Sequence, residues 1–257
     1  MPLASLANSF NPISLEEMDR VKLMNRTDTK YVLNEEILME ILCAVKDDYY
    51  ILQMENSRIF PYESLYYDTV KNEMYHAHHN GKPNRHKIRF RKYLQSNHTF
   101  LEIKQKVKGS RTIKKRILVE NLEISLLENS KSFIMKHTPF DAELLESKLY
   151  TRFNRMTLTD KMHTERVTID THIDFYFQNH DTFQLNNCVV IEIKRDENSL
   201  HSAIGSYLNQ KGIHPNGMSK YCLGRALIES NLKKNNFKRK IITLKNIEHG
   251  KFYSRSI

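Results

Sequence analysis

The sequence predicts an α+β fold in which an antiparallel, eight-stranded β-barrel is flanked by helices. Charged residues occupy alternate positions in several short apolar segments, among them Lys87-Ile-Arg89-Phe-Arg91. Because successive side chains of a β-strand point to opposite faces, each such segment has one charged face and one apolar face. About eight extended segments occur, a number that can close a small barrel. A closed barrel would turn the charged faces inward and leave the apolar faces to be covered by helices.

The first half of the chain supplies five of these strands. Ser14-Leu-Glu-Glu17 has the spacing of a capping box and predicts a helix that ends near Asn25. Asn34 is placed to cap a second helix over residues 35–46. The predicted barrel strands of this half are residues 29–33, 63–68, 85–94, 99–107 and 111–119, with a further extended segment at 49–54 outside the count. Lys108-Gly109-Ser110 predicts a hairpin turn.

The second half alternates helices with the remaining strands. Helices are predicted over residues 122–136, 142–147, 200–210 and 219–232, and strands over 149–158, 165–177 and 188–195. No internal repeat and no linker rich in proline or glycine divides the chain. We therefore expect one barrel domain over residues 1–232 and a basic C-terminal appendage over 233–257.

Composition narrows the class of partner and the location. The formal net charge is +10 and the pI is about 9.3, which indicates an anionic partner such as phosphate-rich molecules, nucleic acid or a membrane surface. The three cysteines have no CxxC spacing, so a disulfide framework or a zinc ribbon is not expected. There is no apolar run of membrane-spanning length and no secretory signal pattern. These features predict a cytoplasmic protein, with Lys238-Arg239-Lys240 as a basic segment able to touch a membrane surface.

Inside a barrel, the alternating positions would gather many cations and few acids. The basic members are Lys87, Arg89, Arg91, Lys104, Lys106, Lys114, Arg116, Arg152, Arg166 and Lys194, and the acidic members are Glu102, Asp170 and Glu192. Such an interior is tolerable only if it is solvated or filled by a polyanion, because confined like charges repel. Guanidinium forks match phosphate oxygens in pairs, so this mixture favours a chain of phosphates over one carboxylate.

The few carboxylates are candidates for a metal site. Mg²⁺ and Mn²⁺ take oxygen ligands and share them with substrate phosphates, so Glu192, together with Glu102 or Asp170, is predicted to hold such an ion. The alternative is an ordinary antiparallel sheet whose alternating lysines and glutamates face solvent. One strand alone would favour that alternative, whereas the arginine-rich bias of several strands favours the barrel.

An ordered set of motifs resembles a known family. The segments are Arg26-Thr-Asp-Thr-Lys30-Tyr31, Tyr66-Tyr67-Asp68-Thr69, Lys87-Ile-Arg89-Phe-Arg91-Lys-Tyr93, Phe100-Leu-Glu102-Ile-Lys104, Tyr150-Thr-Arg152, Arg166-Val-Thr-Ile-Asp170-Thr171, Val190-Ile-Glu192-Ile-Lys194 and Ser219-Lys220-Tyr221. They resemble, in order, the catalytic domain of the vacuolar transporter chaperone, a polyphosphate polymerase of the triphosphate tunnel metalloenzyme (CYTH-like) superfamily. The likeness runs from about residue 15 to residue 230.

The resemblance implies a tunnel enzyme that transfers the terminal phosphoryl group of ATP to inorganic polyphosphate with Mn²⁺ or Mg²⁺. By the same resemblance, Arg89, Arg91, Arg152 and Arg166 would grip the triphosphate, with Lys220 and Lys30 assisting. Lys104 and Lys114 would also bind phosphate, with Lys115 as an alternative counterpart of Lys114, and Glu192 would bind the metal. Eukaryotic relatives carry a membrane-spanning domain, so a separate membrane partner is expected here.

Three other functions stay open at this point. Asp28-Thr-Lys30 replaces the Glu-x-Glu-x-Lys of hydrolytic tunnel enzymes, which lowers the expectation of a nucleotide-hydrolysing type but leaves a metal-dependent tripolyphosphatase. A polyphosphate-binding or nucleotide-binding module without catalysis is the second, and a nucleic-acid binder is the least favoured. The histidines at 76, 78, 79 and 86 are interpreted as solvated loop residues in preference to a metal site.

Overall fold

The computed structural model describes residues 2–20, 26–107, 112–177, 182–197, 199 and 202–250. Eleven strands lie in this part of the chain and join one sheet. They are β1 Asn11–Ile13, β2 Arg26–Asn34, β3 Tyr49–Leu52, β4 Phe60–Thr69, β5 Arg85–Tyr93, β6 His98–Lys106, β7 Thr112–Val119, β8 Leu145–Asp160, β9 Glu165–Tyr176, β10 Phe183–Leu185 and β11 Cys188–Asp196. Each of the eight segments predicted for the barrel is a strand.

Eight strands form a continuous antiparallel path in the order β2-β11-β9-β8-β4-β5-β6-β7. The predicted α+β class and the eight-stranded antiparallel arrangement are confirmed. The ends of the path, β2 and β7, are not hydrogen-bonded to each other within the described residues, so the ladder does not form a closed ring. The short strands lie off this path: β1 pairs with β3, β3 with β8, and β10 with β9.

Eight α-helices occur in the same described ranges. They are α1 Leu3–Ala7, α2 Leu15–Arg20, α3 Glu35–Val45, α4 Glu73–His79, α5 Glu128–His137, α6 Ala203–Gln210, α7 Lys220–Ile228 and α8 Lys238–Glu248. Both predicted caps form: the Glu17 amide donates to Ser14 Oγ at 3.2 Å, and the Ile37 amide donates to Asn34 Oδ1 at 3.0 Å. None of these helices combines the length and apolar composition needed to cross a membrane.

Some predicted boundaries are wrong. The helix expected over residues 122–136 begins only at Glu128, and the one expected over 142–147 is a single 3₁₀ turn at Ala142–Leu144. Strand β8 takes over at Leu145 because Leu145, Ser147 and Leu149 alternate as buried positions of a strand. The predicted turn at 108–110 and the predicted helix ends near residues 25 and 200 lie outside the described residues.

One face of the sheet is apolar and carries most of the covering helices. Along β2, β11, β9 and β8 it packs against α3 and α6 through buried residues such as Ile41, Ile169 and Ile204. Along β4, β5 and β6 it packs against α5 through Phe90 and Ile134. This burial is the main stabilising contribution of the alternating pattern, because each fully buried aliphatic side chain contributes about 1.5–3 kcal/mol.

The opposite face, which we call the charged face, carries the alternating charged positions and one helix, α7. This helix approaches the sheet closely at Gly224, where a Cβ atom would lie 2.4 Å from Phe175 Cδ1 and 2.8 Å from Leu149 Cδ2. Glycine therefore permits the contact that places the first turn of α7 against the charged side chains. Tyr221 from that turn stacks on Tyr66 of β4 with ring centroids 5.1 Å apart.

The histidine cluster and the basic C-terminal segment both pack against the sheet assembly. The prediction of solvated loop histidines is wrong for His79, which is 3% exposed at the end of α4 and accepts a hydrogen bond from the Asn236 amide at 3.2 Å. Helix α8 buries Leu244 and Ile247 in the same apolar cluster as α7. The domain limit predicted at residue 232 stays a prediction.

Candidate functional site

Register places the cations of β5, β6 and β7 in rows across the charged face. Lys87 lies opposite Lys104, and Lys104 lies opposite Lys114. In the next row, Arg89 lies opposite Glu102, and Glu102 lies opposite Arg116. Directly opposed residues of antiparallel strands share a face and have Cβ atoms about 5 Å apart. The alternation found in the sequence therefore produces a two-dimensional array of cations.

Glu102 is the carboxylate of this array, and it fixes Arg89. It accepts hydrogen bonds from Arg89 Nε at 2.9 Å and from Arg89 Nη2 at 2.7 Å, and it also pairs with Lys114. Arg89 Nη1 donates to Tyr66 Oη at 2.9 Å. Burial by itself would raise the pKa of Glu102, but the charges of Arg89, Arg91 and Lys114 outweigh it and hold that pKa far below its usual range.

Arg91 and Lys104 lie beside this pair without a counterion in the described part of the chain. Arg91 is 9% exposed, its Nε has no acceptor, and its guanidinium lies over the rings of Tyr62 and Phe153 at 5.5 and 5.9 Å. Burial, followed by the charge of Arg89, lowers the pKa of Arg91. The charge of Arg89, followed by burial and Arg91, lowers the pKa of Lys104 well below its usual value. These cations repel one another, so the array favours binding an anion.

On the other half of the charged face, Asp170 of β9 collects two cations. Arg155 of β8 holds it with two hydrogen bonds, Nε to Oδ1 at 2.6 Å and Nη2 to Oδ2 at 2.8 Å, and Lys220 of α7 pairs with Oδ2. Burial by itself would raise the pKa of Asp170, but Arg155 and Lys220 reverse that effect and hold it below the usual range. Both carboxylate oxygens are therefore occupied.

Glu192 of β11 forms the second carboxylate centre of this half. It lies opposite Lys30 in the register and pairs through Oε1 with both Lys30 and Lys194, while Lys194 Nζ also lies 3.2 Å from Asp28 Oδ2. Burial would raise the pKa of Glu192, but the two lysines hold it well below its usual value. No described contact involves the second oxygen, Oε2, so it is available to a further ligand.

Helix α7 brings a third set of groups to the charged face. Ser219 caps the helix by accepting from the Cys222 amide, and Lys87 Nζ donates to the same Ser219 Oγ at 3.1 Å. Lys220 Nζ lies 4.4 Å from the centroid of the Phe153 ring, next to Asp170. Lys220 and Ser219 therefore connect the two halves of the face.

A buried network anchors α7 from behind. Asp68 accepts hydrogen bonds from the Met74 and Tyr75 amides at 2.9 and 2.8 Å and from the Tyr221 hydroxyl. Arg225, which is 1% exposed, donates to Tyr221 Oη at 3.1 Å and lies 3.5 Å from Asp68. A buried, fully hydrogen-bonded network of this kind fixes the orientation of the helix that carries Lys220.

The donor set decides how a divalent metal could be held. No group of three or more His, Cys, Asp or Glu residues in the described ranges could enclose a metal ion. Of the three carboxylates predicted as ligands, Glu102 and Asp170 have both oxygens in ion pairs, whereas Glu192 keeps Oε2 available. A single carboxylate fits a Mg²⁺ or Mn²⁺ ion that takes its other ligands from water and substrate phosphates.

Register assigns nearly all of the sequence-predicted residues to the charged face. The residues placed there by strand register are Lys30, Lys87, Arg89, Arg91, Glu102, Lys104, Lys106, Lys114, Arg116, Arg166, Asp170, Glu192 and Lys194. Lys220 joins them from α7 through its pair with Asp170. Arg116 stacks over Phe100 at 4.8 Å. Arg166 donates to the Met18 carbonyl, and its Nε has no acceptor.

Arg152 does not join this group. It lies opposite Glu63 on the apolar face, donates to Glu63 Oε1 at 2.8 Å and is 54% exposed. Sequence reasoning missed Arg155, which takes the corresponding place on the charged face. A signal for it was available, because Arg155 and Thr157 alternate with the apolar residues Met156 and Leu158.

Solved structures similar to this chain include three proteins of low sequence identity. A candidate adenylyl cyclase from Hippeastrum, described as having a dominant triphosphatase activity, has a TM-score of 0.51 and 13% identity, covering 82% of this chain and 99% of its own. A candidate adenylate cyclase from Vibrio parahaemolyticus has a TM-score of 0.44 and 10% identity, with coverage of 79% and 99%. The PH1819 protein from Pyrococcus horikoshii OT3 has a TM-score of 0.43 and 12% identity, with coverage of 78% and 98%.

The first of these likenesses supports the predicted fold. No curated protein matches the chain in sequence. The family model described as the VTC domain matches residues 25–229, which include every strand of the eight-stranded path. The resemblance found in the ordered motifs is thereby confirmed, and the chain belongs to the VTC domain family.

Proposed function

We propose that this protein is a metal-dependent polyphosphate polymerase that transfers the terminal phosphoryl group of ATP to a growing inorganic polyphosphate chain. Membership in the VTC domain family supports this activity. The single observation that carries the proposal is Arg91, a buried guanidinium with no counterion, an unsatisfied Nε, and the charges of Arg89 and Lys104 close by. An array of this kind is stabilised by a ligand with several adjacent negative charges.

The protein's own groups would position and neutralise the phosphates. Arg89 is held in place by Glu102 and Tyr66, so its guanidinium is oriented before substrate arrives. Arg91 and Lys104 beside it would bind the neighbouring phosphate oxygens. Phosphoryl transfer depends mainly on in-line positioning and on stabilising charge in the transition state, and it requires no protein nucleophile.

The carboxylate-bearing half would supply the metal and the remaining contacts. Glu192 would hold Mn²⁺ or Mg²⁺ through Oε2, and the bound ion would neutralise charge on the transferring phosphoryl oxygens. Lys30 and Lys194 already lie at Glu192 and would reach the same phosphates. Lys220 and Arg166 are proposed to assist, and Arg155 takes the role that the sequence motifs implied for Arg152.

The test is a time course of the purified protein with ATP and Mn²⁺ in which ADP, orthophosphate and long-chain polyphosphate are followed together. ADP and polyphosphate should rise together and be lost on addition of a chelator. Arg91→Gln should reduce turnover by about 10²–10³-fold, as removal of a preorganised charge-stabilising donor does. Lys92→Gln is the matched control, because Lys92 adjoins Arg91 on β5 and faces the other way. Equal turnover of the two variants would contradict the proposal.

A metal-dependent tripolyphosphatase is the second candidate. The Hippeastrum protein, which shares the fold, is described by a dominant triphosphatase activity. The same cations would bind a triphosphate in either reaction, with water as the acceptor in the hydrolase. Orthophosphate without polymer would select this function. Tight binding of tripolyphosphate without turnover would select a binding module.

Location and partners follow from this proposal as further expectations. A cytoplasmic protein would meet ATP directly, and delivery of the product across a membrane would require a separate membrane partner. Competition of RNA binding by short polyphosphate would argue against nucleic acid as the natural ligand.

A further inference from the structure

The charged face continues beyond the proposed triphosphate site toward one end of β5. Side chains on one face of a strand repeat about every 7 Å, so Arg91, Arg89, Lys87 and Arg85 form a row about 20 Å long. Arg85 lies opposite Lys106 in the register, one step beyond the pair of Lys87 and Lys104. This end of the row lies past Glu102, the carboxylate of the array.

Helix α4 adds His78 to the same end. The pKa of His78 is lowered to about 2, by burial first and then by the charges of Lys87, Arg85 and Lys106. Those three cations therefore surround a neutral imidazole, which can still donate one hydrogen bond. None of the three cations forms an ion pair with a carboxylate in the described ranges, and Arg85 Nε is buried without an acceptor. The cluster thus lacks an anion.

We propose that His78, Arg85 and Lys106 form a second phosphate subsite, which binds units of a linear polyphosphate chain beyond the three held at Arg89, Arg91 and Lys104. This inference rests on the proposed function, since it takes the same polyanion as ligand. A single triphosphate at the first site is too compact to occupy a row of this length as well. The subsite therefore selects long chains over tripolyphosphate.

The test compares the binding of two probes, tripolyphosphate and a long inorganic polyphosphate, measured by titration calorimetry without turnover. Arg85→Gln should weaken long-chain binding about tenfold, because hydrogen bonds to charged groups contribute about 1.5–3 kcal/mol, and leave tripolyphosphate binding within about twofold. His78→Gln should act in the same direction with a smaller loss. Lys92→Gln, on the same strand and the opposite face, is the matched control.

Three outcomes separate the claims. Selective loss of long-chain affinity in Arg85→Gln and His78→Gln supports the subsite. Equal behaviour of Arg85→Gln and Lys92→Gln toward the long chain, with tripolyphosphate still bound, overturns the subsite and leaves the proposed function intact. Failure of the unmodified protein to bind either probe overturns both. Unchanged thermal unfolding of the variants would show that any loss of affinity does not come from misfolding.

Discussion

The two halves of the charged face use the same residue types in opposite ways. The carboxylate-rich half, on β2, β11, β9 and β8, pairs its cations with Asp170, Glu192 and Asp28. The cation-rich half, on β5, β6 and β7, has Glu102 as its carboxylate against a larger set of lysines and arginines. The first half therefore contains its own counterions, and the second depends on a ligand for them. Structural pairing and ligand binding are in this way separated along one sheet.

This difference assigns different costs to mutation. Removing one member of a buried ion pair leaves its partner uncompensated and destabilises the fold. Removing one of several unpaired cations relieves repulsion and weakens ligand binding. Stability and affinity should thus change together in neither half, and the following experiments test that separation.

The largest effect is expected for Arg155→Gln. Asp170 has a side chain only 4% exposed and would keep Lys220 as its single cation, so the free energy of unfolding should fall by about 3 kcal/mol. Urea unfolding measures the change. Asp170→Asn in the same background should recover part of the loss, because the buried charge is then removed as well. A variant as stable as the unmodified protein would contradict the view that this half is built on internal pairing.

Acid should act on these carboxylates in a defined direction. The pKa values of Asp170, Glu192 and Glu102 are all held below their unfolded values by neighbouring cations that outweigh burial. A carboxyl group with a depressed folded pKa stabilises fully above its unfolded pKa, about 4, and loses that contribution as pH falls toward the folded value. Unfolding free energy should therefore decline progressively below about pH 5. Asp170→Asn should be less stable at pH 7 and decline less steeply, and an equal slope would contradict the assignment.

Lys104→Gln should produce the opposite sign in the cation-rich half. The charge of Arg89 and burial disfavour protonated Lys104 in the folded state, so its removal should raise the free energy of unfolding by about 1 kcal/mol. Tripolyphosphate binding should weaken about tenfold. Lys115→Gln, on the opposite face of β7, is the control and should change neither quantity.

Alkaline pH gives an independent check of Lys104. A lysine whose folded pKa lies below its unfolded value makes the unfolded state bind more protons, so stability rises with pH between the two values. The unmodified protein should therefore gain stability as pH approaches about 10.4, the unfolded lysine value, and Lys104→Gln should gain less. A steeper rise in the variant would show that another group is responsible.

The sequence allowed the rows of the charged face to be predicted because alternation is a local property. Lys87, Arg89, Lys104 and Glu192 lie where their parity in a strand requires. Pairing across the sheet could not be predicted, because it depends on the register of strands far apart in the chain and on α7. Asp170 was predicted as a metal ligand, whereas Lys220, fifty residues later, occupies it together with Arg155.

Helix boundaries were limited by the same kind of information. The segment at 142–147 has a helical composition, yet strand β8 extends back to Leu145 because β4 offers it partners as far as Thr69. Helix α8 follows a run of basic residues that resembles a solvated tail, and only its two apolar residues, Leu244 and Ile247, show that it packs. Tertiary contacts overrode local composition in both places.

The smallest effect is expected for Arg152→Gln, which compares two arginines of one strand that face opposite sides. Arg152 is more than half exposed and pairs with Glu63, which keeps the Tyr176 hydroxyl as a donor, so the loss of unfolding free energy should be about 0.5 kcal/mol. Turnover with ATP and Mn²⁺ should stay within about twofold of the unmodified protein, since no group on the charged face contacts this side chain. The measurement is a parallel assay of turnover and urea unfolding for Arg152→Gln and Arg155→Gln. If Arg152→Gln lost turnover while remaining folded, the motif would have identified the working arginine correctly, and the split between the two faces of β8 would have to be abandoned.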